Sequence, residues 1–396
     1  MGFSQALSGL NAAAMNLDVV GNNIANSQTV GFKGSSVQFA DVYAGAQVGL
    51  GTRVAAVLQD FSDGTLETTG RNLDLAVAGT GFFRFMQGEQ VVYSRNGQLV
   101  MTPDGYLENA QGARLTGFPA GVGTGGQPVP LQVPSGAMNA TATTGVEASF
   151  NLDARAELID RATVPFDPAD GNSYSYANTG TTFDSLGIEH TMTMYFTKTA
   201  DNTWEVRVAV DGNADAANVG ELVFDSNGLL NEAASTFPNY AFTPGGGADA
   251  LNFALAFDGT TQFGQDFNLD NLNQNGYAAG TLVGITFDDA GNVVGNYSNE
   301  RSQVLGTIAL ADFRNPEGLQ ASGDNVWVET AQSGQPLLGL PGSGMFGSLE
   351  SGVVETSNVD LTRALVDLII AQRNYQANTQ TIKVQDEVLQ SAVNLR

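Results

Sequence analysis

The sequence predicts a multidomain, mainly β protein with one α-helix at each end of the chain. Three observations support this fold class. Apolar residues repeat at heptad spacing in the first and last stretches, short β-forming segments separated by turn pairs fill the middle, and one group of these segments interrupts another. We therefore expect two nested β domains, with N- and C-terminal helices that form a coiled-coil-like inner domain.

The C-terminal stretch carries the clearest helical pattern. Its seam positions alternate steps of four and three residues, and the positions between them are mostly polar. This spacing predicts one helix with a single apolar stripe, which needs a partner because such a stripe is unstable in water. The predicted seam consists of Leu361, Leu365, Leu368, Gln372, Tyr375, Thr379, Ile382, Asp386, Leu389 and Val393.

The N-terminal stretch repeats the same spacing. For either helix alone, packing on a globular core is the ordinary alternative, but two single-sided stripes at opposite ends favour packing against each other. Several asparagines lower the helix propensity of both stretches, so neither helix should be stable alone. The N-terminal seam consists of Phe3, Leu7, Leu10, Ala14, Leu17, Gly21 and Ile24.

The middle of the chain reads as β structure with frequent turns. Its best strands are 191–197 and 203–210, in which Met192, Met194 and Phe196, and then Trp204 and Val206, alternate with polar residues. The predicted division is as follows: a terminal helical domain (1–30 and 358–396), an extended linker with short strands (31–70), an inner β domain (71–145 and 281–357), and an inserted outer β domain (146–280).

Composition excludes several classes of function. The chain has 41 acidic and 16 basic residues and a formal charge of −25, so nucleic acid and anionic membranes are poor partners. It has no cysteine, which excludes disulfides and thiolate chemistry. No segment approaches the length of a membrane span, and the first residues lack the pattern of a secretory signal peptide, so we expect any export to use another route.

No motif predicts catalysis, a cofactor or a metal. Two glycine-rich matches, at residues 121–126 and 342–347, lack the following helix that dinucleotide binding requires, and we interpret them as loops. An acidic stretch from Asp211 lacks the glycine and glutamate of a calcium loop. The single histidine, His190, has no second His or Cys to share a metal, and we interpret it as a structural residue at a strand edge.

Several segments resemble the axial proteins of the bacterial flagellum, the family of rod, hook and hook-associated proteins. The segment 21–33 is similar to that family's N-terminal signature, and 73–83 to its β-domain motif. The segments 357–361, 371–378 and 393–395 are similar to its C-terminal helix. In the middle, 190–196, 259–263 and 306–313 resemble the hook members. The signature residues are Asn22, Asn23, Asn26, Gly31, Phe32 and Lys33.

The resemblance implies a structural function and no enzyme activity. It implies a hook subunit that polymerises with itself into a curved, flexible hollow tube and transmits torque from rod to filament. It further implies export through the flagellar type III apparatus to the extracellular hook. The implied partners are the distal rod, hook cap, hook-filament junction and hook-length control proteins and the export gate. Phe39 and Tyr43 resemble an export-recognition element, with burial in the linker as the alternative.

Two other functions remain open at this point. One is a distal-rod or hook-associated protein of the same family. The other, from a different class, is a secreted β-rich glycan-binding or hydrolytic protein whose helices serve only oligomerisation. A concave aromatic groove with two converging carboxylates would favour that second alternative.

Overall fold

A computed structural model of the chain describes residues 3–42, 49–122, 125–214, 218–237 and 239–394, with the backbone alone at 392–394. These residues form two compact units. The first unit is Met1–Ser135, Gly284–Asn296 and Ser302–Arg396, and the second unit is Gly136–Val283 and Tyr297–Arg301. The chain is mainly β with a helix near each end, so the predicted fold class is confirmed.

Two long helices belong to the first unit, α1 (Phe3–Ala25) and α2 (Leu361–Asn394), and they pack against each other. Asp360 caps the start of α2, because its Oδ1 accepts the backbone N–H groups of Thr362 at 2.8 Å and Arg363 at 3.2 Å. These donors have no partner within the helix, so the cap stabilises its first turn.

The segment predicted as an extended linker contains a paired ribbon. Strand β1 (Ser35–Asp41) pairs antiparallel with β2 (Thr52–Gln59), with a bulge between Gln38 and Phe39, and the ribbon packs along α1. At one end of it, Thr52 N–H donates to the hydroxyl of Ser8 in the helix at 3.3 Å. The facing backbone groups of the two strands therefore pair with each other, and one end of the ribbon is bonded to α1.

The rest of the first unit is β structure. One large sheet has the order β22–β23–β24–β10–β5–β6–β27–β26, and its apolar residues pack around Phe82, Tyr93 and Trp327. The strands that lie wholly or mainly here are β3 (Leu66–Thr68), β4 (Asp74–Ala78), β5 (Phe82–Gln87), β6 (Gln90–Ser94), β7 (Gly97–Gln98), β8 (Val100–Met101), β9 (Leu107–Glu108), β10 (Arg114–Pro119), β11 (Val129–Pro130), β22 (Leu282–Phe287), β23 (Asn292–Tyr297), β24 (Ser302–Ile308), β25 (Leu310–Asp312), β26 (Gln320–Ala321), β27 (Trp327–Val328), β28 (Leu337–Gly339), β29 (Ser348–Ser351) and β30 (Val353–Glu355).

The second unit is a pair of sheets around one apolar core. One sheet has the order β18–β19–β12–β20 with β21 beside β12, and the other has β13–β14–β15–β16 with β17 beside β15. The strands are β12 (Gly145–Asp153), β13 (Tyr176–Phe183), β14 (Glu189–Ala200), β15 (Thr203–Val210), β16 (Asn213–Ala214), β17 (Gly220–Val223), β18 (Tyr240–Phe242), β19 (Leu251–Ala256), β20 (Thr261–Phe263) and β21 (Asn268–Gln274).

The two strands predicted best from the sequence are confirmed as β14 and β15. Met192, Met194 and Phe196 of β14 are buried in the core, as are Trp204 and Val206 of β15. The two strands pair antiparallel, with Met194 opposite Val208. Their alternation of apolar and polar residues is what a half-buried strand requires.

Candidate assembly surface

The contact between α1 and α2 runs over small residues. Ala12, Ala13 and Ala371 are buried, and a Cβ atom added to Gly9 would lie 2.8 Å from the side-chain oxygen of Asn378. Beside this contact lies a cavity of about 340 Å³, lined by Gly9, Ala12, Ala13, Asn16, Phe39, Thr52, Ala371, Asn374 and Asn378. Small side chains let two helix backbones approach closely, so this face fixes the spacing of the pair.

The predicted seams are only partly covered within one chain. Exposed members are Phe3, Leu7, Leu361, Leu365, Gln372, Tyr375, Asp386 and Leu389, and half-buried members are Leu10, Ala14, Leu17, Gly21, Ile24, Leu368, Thr379 and Ile382; the side chain of Val393 lies outside the described residues. The expectation that the two helices pack against each other is confirmed, and one chain alone does not bury their seams completely. The alanine face lies beside the seams and admits a closer approach than rows of leucine do. The role of the seams in assembly stays a prediction.

The first half of α2 presents an apolar face that its own chain does not cover. Leu361, Leu365, Val366, Ile369 and Ile370 are each exposed by more than two-fifths. The predicted seam contains only the first two, because a strict heptad seam omits the neighbouring positions at steps of one and four. Clusters of this kind on a folded protein mark interaction surfaces.

The signature segment begins at the end of α1, where three asparagines make different contacts. Asn23 holds the start of β1 from both sides: its amide nitrogen donates to the Ser35 carbonyl at 2.7 Å, and its oxygen accepts the Ser35 N–H at 3.0 Å. Asn26 donates to the Asn22 side chain at 2.9 Å. The asparagines thus direct the chain from the helix into the ribbon.

The glycine, phenylalanine and lysine that follow are fitted against the first unit. Gly31 has a φ of 68°, and a Cβ there would lie 2.6 Å from the backbone nitrogen of Asn96, so a side chain has no room. Phe32 is half-buried. Lys33 is buried, and its Nζ donates to the Glu355 carboxylate and to the Ser62 carbonyl, each at 2.6 Å.

Of the two residues that resemble an export-recognition element, only Phe39 lies within the described residues. Phe39 lies on β1 at the bulge, is half exposed, and borders the cavity beside the helix contact. Tyr43 lies outside the described residues. A role in export for either residue stays a prediction.

His190 lies in the second unit between two carboxylates. Its Nδ1 is 2.7 Å from Asp211 Oδ2, and its Nε2 is 3.4 Å from Asp184 Oδ2. Because both ring nitrogens face carboxylates, neither is left to bind a metal. Across the described ranges, no group of three or more His, Cys, Asp or Glu side chains is arranged to hold a metal ion, and no helix has the length and apolar character of a membrane span.

Family models match most of the chain in four segments. A model described as "Flagella basal body rod protein" matches residues 4–33, and "Flagellar hook protein FlgE/F/G D1 domain" matches 76–146. "Flagellar basal body protein FlaE D2 domain" matches 151–277, and "Flagellar basal body rod FlgEFG protein C-terminal" matches 350–395. The two terminal models cover the helices, and the two central models cover β structure.

Similarity to known proteins extends over the whole chain. The flagellar hook protein FlgE of Salmonella typhimurium is 47% identical over 410 residues, with 100% of both chains covered. The chain belongs to the flagellar hook protein family. The hook protein of Escherichia coli is also 47% identical with both chains fully covered, and that of Borreliella burgdorferi is 32% identical with 98% of each covered.

Membership of the hook protein family implies a structural protein of the flagellar hook. The fold agrees with a solved member, the Helicobacter pylori flagellar hook protein FlgE2, at a TM-score of 0.56 and 14% identity. That match covers 73% of this chain and 100% of the other. The resemblance noted in the sequence is thereby confirmed at the level of the hook proteins.

Proposed function

We propose that this chain is the subunit from which the flagellar hook is built. Copies of it polymerise into a curved, flexible, hollow tube that acts as a universal joint and transmits torque from the rod to the filament. Family membership supports this function. The observation that carries it is the uncovered apolar face of α2 (Leu361, Leu365, Val366, Ile369 and Ile370), on an otherwise strongly acidic chain.

Burial of that face by neighbouring copies contributes to association. Complete burial of one fully exposed large aliphatic side chain contributes about 1.5–3 kcal/mol, and these five are about half exposed, so each face offers on the order of 5 kcal/mol before the cost of ordering. Within one chain, α2 meets α1 through its alanine face, which leaves the apolar face free for neighbouring copies. Each copy then supplies helices that cover those of its neighbours.

The route and the further partners follow from the same proposal. The chain leaves the cell unfolded through the flagellar type III apparatus, where Phe39 and Tyr43 contact the export gate. It assembles on the distal rod protein beneath the hook cap protein and meets the hook-filament junction protein at its far end. The hook-length control protein limits its polymerisation.

Electron microscopy of purified protein under assembling conditions tests the proposal. We expect curved tubes from the unsubstituted chain, and loss of tubes from the L365Q/I369Q variant. Glutamine retains good helix propensity, so the substitution removes apolar surface without breaking α2. V283Q serves as the control because Val283 is 73% exposed but lies outside the helices.

The alternatives give different images. A straight rod or a closed cap would indicate a distal-rod or hook-associated protein instead. If only monomers formed at every concentration, or if L365Q/I369Q assembled like V283Q, the role assigned to the α2 face would be wrong.

A further inference from the structure

A buried cluster of charges lies where the two terminal segments meet the β structure of the first unit. Lys33 Nζ lies 2.6 Å from Glu355 Oε1, and the two side chains are 1% and 0% exposed. Arg95 Nη1 lies 3.2 Å from Glu355 Oε2. The backbone N–H of Gly64 also donates to Glu355 Oε1 at 2.8 Å. One carboxylate thus gathers contacts from three separate parts of the chain.

The position of the cluster in the chain is its second feature. Lys33 stands between α1 and β1, while Glu355 ends β30 shortly before α2 begins. Backbone contacts fix the same crossing: Gly31 N–H donates to the Glu355 carbonyl at 2.7 Å, and the Gly34 N–H donates to the Asn358 side chain at 2.8 Å. The segment that follows α1 and the segment that precedes α2 are therefore bonded to each other at this cluster.

The physical chemistry of the ion pair favours a role in selecting one docking register over a role in raising the stability of the fold. Burial lowers the pKa of Lys33, and the hydrogen bond and charge of Glu355 oppose that shift only in part. A buried ion pair often stabilises a fold no more than an apolar pair of the same size, but a buried charge without its partner is strongly unfavourable. If the N-terminal segment shifted by one residue, Lys33 would be buried without its carboxylate.

We infer that Lys33 is a positioning residue, which through Glu355 sets the register in which the N-terminal segment docks on the first unit and couples the docking of that segment to the docking of the C-terminal one. This inference concerns the single chain and holds whether or not copies polymerise. It assigns a physical role to a signature residue that the resemblance alone leaves unexplained.

Hydrogen exchange of the full-length protein, followed by mass spectrometry, tests the inference. The variant K33M keeps an unbranched side chain one atom shorter than lysine and removes the charge. We expect exchange to rise by roughly tenfold or more in residues 30–41 and also in 353–360, because one partner of a buried pair has been removed. Exchange in β5 and β6, which lie in the same unit, should remain unchanged.

Two further variants sharpen the comparison. E355Q removes the buried carboxylate between Lys33 and Arg95 and leaves only the half-exposed Asp63, 3.4 Å from Arg95, as a nearby anion, so its effect should exceed that of K33M at both sites. R114Q is the control, since it removes a partly exposed pair between Arg114 and Glu108, whose atoms are 3.0 Å apart. It should change exchange at neither site.

Each result decides the question. The comparison is made in whichever state, monomer or polymer, protects residues 30–41 of the unsubstituted chain. Protection in neither state would overturn the inference, because the segment would then not be docked. Equal exchange in K33M and R114Q would overturn it too. A rise spread evenly over the whole first unit, β5 and β6 included, would indicate a general contribution to stability in place of positioning.

Discussion

At the scale of single residues, His190 shows how a pair of neighbours sets the charge of a side chain. Burial by itself lowers the pKa of His190, but the hydrogen bonds and charges of Asp211 and Asp184 outweigh burial and raise that pKa above its ordinary value. The imidazole and the ring of Phe242, an uncharged neighbour, form a T-shaped contact. Burial alone would raise the pKa of Asp184, but hydrogen bonds from the N–H groups of Ile188 and Leu186, together with the hydrogen bond and charge of His190, lower it.

We therefore expect the stability that His190 contributes to be present below the pKa of an unfolded histidine, near 6.5, and to be lost as the pH rises through the higher folded value. Since the chain has one histidine, a single imidazole proton signal in NMR reports the folded pKa directly. The midpoint should lie above that of a free histidine, and D211N should lower it. D258N, at an exposed carboxylate without a contact to His190, should not. A midpoint at or below the free value would contradict the geometry.

Residue roles could be predicted only where the sequence carries a local signal. His190 was predicted as a structural polar residue at a strand edge, and it lies there, next to the start of β14. Lys33 was identified by its signature, but its partner Glu355 is 322 residues away and one of 41 acidic residues. No spacing rule selects such a partner, since the contact depends on how the β strands between the two residues bring them together in space.

At the scale of elements, the heptad spacing located both helices to within a few residues. It did not identify the face by which they meet. The contact uses Ala12, Ala13 and Ala371, whose small side chains contribute little to an apolar periodicity. The larger apolar residues determine the pattern in the sequence, and in the single chain they are left exposed or half-buried.

The helix contact gives a prediction with a matched control on the same helix. A371L places a large side chain at a buried position between α1 and α2 and should cost about 1–3 kcal/mol through overpacking. A377L adds the same side chain at an exposed position. Under conditions that protect the α1 amides, hydrogen exchange in α1 should rise in A371L and remain unchanged in A377L. Equal exchange in the two variants would show that the alanine face does not fix the helix spacing.

At the scale of the whole molecule, the net negative charge lies in the middle of the chain and not at its helical ends. Residues 1–32 contain one charged side chain, Asp18, and residues 361–396 contain four basic and three acidic ones. The formal charge of −25 therefore belongs to residues 33–360. Copies can approach through their helical ends without repulsion, whereas their β parts repel one another.

This division predicts that polymerisation depends on salt. The screening length falls from about 30 Å at 0.01 M to about 8 Å at 0.15 M salt, so the repulsion between β parts should weaken strongly over that range. The critical concentration for assembly, measured by sedimentation, should fall as sodium chloride is raised. A variant with three exposed acids neutralised, E157Q/E232Q/D258N, should respond less steeply. An identical response in the two proteins would place the salt effect elsewhere.

The strand pairing of the second unit limits the order in which the chain can fold. Strand β12 pairs with β21, where Val146 lies opposite Gln274, and in the first unit Lys33 meets Glu355. A chain that was exported N-terminus first could not close that sheet before residue 274 had emerged, and Lys33 could not meet Glu355 before residue 355 had followed. Contacts this distant in sequence form slowly and late. On the proposed export route, such a chain would therefore remain unfolded at its exit until residues 274 and 355 had followed.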